Sequence, residues 1–70
     1  MVPEGWLLES SNQWMLFFRK DPNCLDIAPL FYIDKSRFLF AFFSRRKVDL
    51  VPAIQTWTEF VGNGWIRVDN

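Results

Sequence analysis

The chain has 70 residues, half of them apolar, with eight Phe, four Trp and one Tyr, and its eight basic and eight acidic side chains cancel to zero net charge. That length makes one domain. A single cysteine excludes an internal disulfide, and the lack of histidine excludes a Cys/His zinc site and any Ser–His or Cys–His nucleophile pair. A neutral chain is not drawn to nucleic acid as a whole, nor does it repel copies of itself.

Trp6 to Glu9 predicts a short strand, Ser10-Ser11-Asn12 a turn, and Gln13 to Phe18 a stronger strand. The two strands make a hairpin. In the second, Trp14, Leu16 and Phe18 share one face, and Met15 and Phe17 share the other. Residues 19 to 29 read as a loop, with Pro22 after Asp21 marking its turn.

Leu30 to Asp34 is the next strand. Asp34-Lys35-Ser36-Arg37 reads as a polar break, and Phe38 to Phe43, the run FLFAFF, as a strand with no polar alternation. These two strands form a second hairpin. Ser44-Arg45-Arg46-Lys47 then reads as a basic loop ahead of a helix. The helix is predicted from Asp49 to Val61, because Leu50, Ala53, Ile54, Trp57, Phe60 and Val61 recur on one stripe. Asp49 is the expected N-cap, and Pro52 is tolerated only in the first turn. Gly62 is the expected left-handed stop. Trp65 to Val68 is a last short strand, whose pairing the sequence leaves open.

The order β-β-β-β-α-β predicts a small α+β domain spanning residues 1–70. Its mostly antiparallel sheet has four to five strands, with one helix packed on one face. One helix covers one face only, yet segments 14–18, 30–33 and 38–43 are apolar on both. Uninterrupted apolar strands belong to sheets covered on both sides. A domain this small leaves much of its unfolded surface wet, since it buries only about 60% of it. The second face is therefore expected to be covered by another molecule. If Leu39 and Ala41 face the helix, the protein-binding row is Phe38, Phe40 and Phe42. Trp14, Leu16 and Phe18 join it in one register, Met15 and Phe17 in the other. The competing expectation is that these side chains are ordinary core.

The function expected on these grounds is a non-enzymatic protein-interaction module. Self-association comes first, and a small inhibitor, adaptor or accessory subunit is the other form. The alternative is single-stranded nucleic-acid binding, with Arg45, Arg46, Lys47 and Arg37 on phosphates and Trp14, Phe31, Tyr32, Phe40 and Phe42 stacking on bases. Neutrality argues against it, since nucleic-acid binders carry a basic bias.

No phosphate-cradling motif surrounds Gly62-Asn63-Gly64, and no cofactor is implied. Asp21, Asn23 and Asp26 lack the glycine and terminal glutamate of a calcium loop, so a proline-centred turn explains them better. Cys24 has no base near it in sequence and reads as inert. The helix has no Lys or Arg on its polar face, unlike helices that lie on membranes. One free thiol and the absence of an export signal lead to the expectation of a reducing, cytoplasmic setting.

Overall fold

The computed structural model describes residues 3–37 and 42–68, with the backbone alone at 42 and 43. Among them five strands and one helix follow in the order β1 (Gly5–Leu8), β2 (Trp14–Lys20), β3 (Leu30–Arg37), β4 (Phe42–Asp49), α1 (Leu50–Gly62) and β5 (Ile66–Val68). The strands form one sheet, ordered β4-β3-β2-β1-β5 and antiparallel at every pairing. This is the α+β architecture expected from the sequence. β1 to β4 run as a meander, and α1 then carries the chain across the sheet so that β5 lands beside β1. No helix among the described residues is long and apolar enough to cross a membrane.

The first turn forms where polar residues cluster. The Asn12 N–H donates to the Glu9 carbonyl at 2.9 Å, and Asn12 takes a φ of 61°. Asparagine tolerates that left-handed conformation better than most residues.

Two polar runs differ from expectation. Asp34 to Arg37 is not a break but the second half of β3, and Arg45 to Lys47 is not a loop but the middle of β4. Both extend because their charges find partners across the sheet. Asp34 stands opposite Arg45, and Trp14 stands opposite Arg37. Opposite charges facing across strands stabilise a ladder that propensity alone would not predict. β3 thus runs to Arg37, and β4 begins at Phe42. Of the FLFAFF run, Phe38 to Ala41 lie outside the described residues, and Phe42 and Phe43 open β4.

The helix begins directly after β4. Asp49 holds the N-cap position in extended conformation, but its carboxylate makes no capping bond. Pro52 sits in the first turn, where its missing N–H leaves no helical bond unmade. At the other end, Gly62 is still helical, and the residue with positive φ is Gly64, at 95°. The Gly64 N–H donates to the Val61 carbonyl at 3.1 Å, and the Trp65 N–H reaches back to the Phe60 carbonyl at 3.0 Å. This pair of bonds is a Schellman motif, and the apolar contact that goes with it is present. Phe60 and Trp65 stack with centroids 4.9 Å apart.

The core lies between α1 and the sheet. Leu7, Leu16, Phe18 and Ile33 come from three adjacent strands, and Trp57 from the helix closes over them. Trp57 meets Phe18 edge to face at 5.0 Å. Ala53, fully buried, lets the helix approach closely. Each large apolar side chain buried here contributes about 1.5–3 kcal/mol.

Candidate functional site

Side chains alternate along a strand, so the register assigns every strand residue to a face. The row Leu7–Leu16–Lys35–Ser44 and the row Phe18–Ile33–Arg46 lie under the helix. The intervening rows point the other way. One is Trp6–Phe17–Asp34–Arg45, another joins Leu8, Met15 and Ser36, and a third is Arg19–Tyr32–Lys47. No described helix covers this second face.

The open face has two halves. Over β5, β1 and β2 it is apolar: Trp6, Leu8, Met15, Phe17 and Val68 are half-buried, and Ile66 is 62% exposed. Trp6 and Phe17 stack with centroids 4.3 Å apart and planes at 16°. Over β3 and β4 the face is charged, and its charges are matched. Arg45 donates to both Asp34 oxygens, Nε at 2.7 Å and Nη2 at 3.0 Å. The Lys47 Nζ lies 3.1 Å from Asp21 Oδ2, and Tyr32 donates to the same oxygen at 3.5 Å.

Asp21 is buried where the 21–29 loop leaves β2, and its Oδ1 accepts the Asn23 N–H at 2.9 Å. This is the turn around Pro22 that the sequence suggests. The Asn23 N–H, and then Lys47, hold the Asp21 carboxyl below the ordinary carboxylate range. In return the Asp21 bond raises the Lys47 ammonium above its usual value. The Tyr32 ring sits among three cations: the Arg19 and Arg45 guanidinium carbons at 5.0 and 4.9 Å, and Lys47 Nζ at 5.4 Å. Further along the loop, Leu25 and Ile27 are exposed.

The structure redistributes the residues singled out from sequence. Leu16 is not on the open face. It is 3% exposed beneath the helix, because its cross-strand partner Leu7 and its neighbour Phe18 are the sheet's contribution to the core. Trp14 alternates with it on the helix side, half-buried, with Lys35 Nζ 4.6 Å and the Arg37 guanidinium carbon 5.6 Å from its ring. The register thus selects Met15 and Phe17 for the open face. Phe31 is buried and offers no stacking surface. Phe38 and Phe40 lie outside the described residues, as does the side chain of Phe42, whose backbone pairs with Ser36.

The basic run is split. Arg45 and Lys47 face outward beside Tyr32, whereas Arg46 faces the helix and donates to the Thr56 hydroxyl at 3.3 Å. Sequence reasoning missed Trp6, Leu8, Ile66 and Val68. The period-two alternation was present, but it marks a face only when the neighbouring strand is known.

Among the described residues, no cluster of three or more Cys, Asp or Glu is placed to hold a metal ion. Cys24 is half-buried with its Sγ 4.0 Å from the Leu30 carbonyl. The arrangement offers an apolar surface with a charged margin in which two of three cations are paired with carboxylates. No curated protein and no solved structure matches the chain. Residues 4–70 match the model of one family, described as a protein of unknown function (DUF1651). The match covers nearly the whole chain, which therefore belongs to that family.

Proposed function

We propose that this protein is a non-enzymatic binding module that associates with a second copy of itself through the open face of the sheet. The observation that carries the reading is the Trp6–Phe17 stack, set among four further apolar side chains on a face that no described helix covers. Such contiguous apolar surface marks interaction sites. Three arguments favour a second copy as the occupant.

Zero net charge gives no long-range repulsion between copies. Arg45 and Lys47 are already matched by Asp34 and Asp21, so of the three cations beside Tyr32 only Arg19 lacks a carboxylate among the described residues, and two such faces meet with little unmatched charge. Edge pairing is the less favourable route. An antiparallel β4–β4 contact centred on Arg46 sets Arg45 against Lys47 and Arg46 against itself, and like charges directly opposite destabilise a ladder.

Size sets the strength. Five strands at about 4.8 Å spacing, three to eight residues long, give a plane on the order of 500 Å². A standard interface uses roughly 800 Å² per partner, so a weak dimer is expected. A cytoplasmic setting fits the single thiol.

Light scattering or sedimentation velocity across a dilution series tests the reading. A monomer–dimer equilibrium is expected for the unaltered chain, and a shift to monomer for a folded Phe17→Ser variant. A strict monomer at the highest concentrations overturns self-association. The nucleic-acid reading draws less support. The Tyr32 ring is surrounded by cations, and two of those cations are spent on carboxylates. A labelled oligonucleotide titrated at two salt concentrations tests it, because phosphate contacts lose affinity steeply with salt.

A further inference from the structure

On the other side of the sheet, α1 crosses β3 and β4 and leaves a half-open cleft of about 170 Å³. Three pairs of residues line it, each pair spaced at the period of its own element: Ile33 and Lys35 on β3, Ser44 and Arg46 on β4, Thr56 and Phe60 on α1. Leu16 completes an apolar floor with Ile33 and Phe60. Lys35, Ser44, Arg46 and Thr56 form the polar rim. A register shift in β4 next to the Lys35–Ser44 pair ends the regular ladder here, and such irregularities often adjoin binding sites.

The two cations of this rim differ from those of the open face. Arg45 and Lys47 have carboxylates, but among the described residues neither Lys35 nor Arg46 does. Lys35 rests over the Trp14 ring. Arg46 spends one donor on the Thr56 hydroxyl, which itself donates to the Pro52 carbonyl at 2.9 Å and so is held in place. A guanidinium has five N–H donors, so Arg46 is oriented and has donors to spare. Two positive groups over an apolar floor complement a negative head on an apolar body.

We infer that the cleft between α1 and β2–β4 binds a small organic anion, its carboxylate or phosphate head between Lys35 and Arg46 and its apolar body against Leu16, Ile33 and Phe60. A cleft of this size suits a body of one short chain or one ring. This site lies on the face opposite the proposed dimer surface, and neither proposal depends on the other.

The test is a titration of the isotope-labelled full chain followed by amide NMR, with hexanoate, phenyl phosphate, inorganic phosphate and hexanol as probes. Saturable shifts at Ser44, Arg46, Thr56 and Phe60 are expected with hexanoate or phenyl phosphate, and the tighter of the two identifies the head. Arg46→Met and Lys35→Met, which keep an aliphatic stem, should each weaken binding about tenfold. Binding to the unaltered chain should also fall with added salt, a readout that needs no variant. Hexanol binding as well as hexanoate, inorganic phosphate binding as well as phenyl phosphate, or no saturable shift with any probe overturns the inference.

Discussion

Leu16 and Phe17 are neighbours in β2, yet Leu16 is buried beneath the helix while Phe17 stacks on Trp6 at 4.3 Å on the face the helix never reaches. One peptide bond thus separates a residue that holds the fold from one available to a partner. Leu16→Ala is expected to destabilise the domain by about 2–5 kcal/mol, through lost transfer energy and a cavity. Phe17→Ser is expected to cost only about 1 kcal/mol while lowering self-association. Urea unfolding measures both, and a larger loss at Phe17 than at Leu16 would reverse the assignment of faces.

The Asp21–Lys47 pair predicts how stability depends on pH. The folded Asp21 carboxyl titrates below its ordinary value of about 3.9. Its contribution is therefore full above that value and fades as pH falls through the lower, folded one. Lys47 titrates above its ordinary value of about 10.4, so its share is full below that value and fades as pH rises through the folded one. Asp21→Asn should thus lower the unfolding midpoint most between roughly pH 5 and 9. The gap from the unaltered chain should narrow toward both extremes. A gap that stays constant down to pH 2 would contradict the pairing.

Gly5 has a φ of 119° inside β1. A Cβ there would lie 3.5 Å from Arg67 Nε and 4.0 Å from the Trp57 ring, both ordinary contacts. The cost of Gly5→Ala is therefore set by backbone strain, about 1–3 kcal/mol. Thermal unfolding checks it, since each 1 kcal/mol moves Tm by roughly 4–8 °C in a domain of this size. An unchanged Tm would show that β1 adapts.

Gly64 is the left-handed residue of the Schellman motif, whereas Gly62 is helical with open space around it. Gly64→Ala is expected to destabilise by about 1–2 kcal/mol. Gly62→Ala should be neutral or slightly stabilising, since alanine favours a helix by up to about 1 kcal/mol over glycine. Comparing the two variants by urea unfolding tests which glycine ends the helix.

The helix and four of the five strand positions were legible because local periodicity and punctuation dictate them: the apolar stripe from Leu50 to Phe60, the Ser10-Ser11-Asn12 turn and the Pro22 turn. The extent of β3 and β4 was not, because Asp34 and Arg45 favour extended chain only once they face each other, 11 residues apart in sequence. By itself, then, the sequence determined a small α+β domain whose one helix shelters one face of a richly apolar sheet. Only the tertiary structure decided which face is sheltered, that Leu16 rather than Phe17 lies beneath Trp57, and that the basic run divides between two surfaces. Alternation along a strand is symmetrical between faces, and only cross-strand register and the position of the helix break that symmetry.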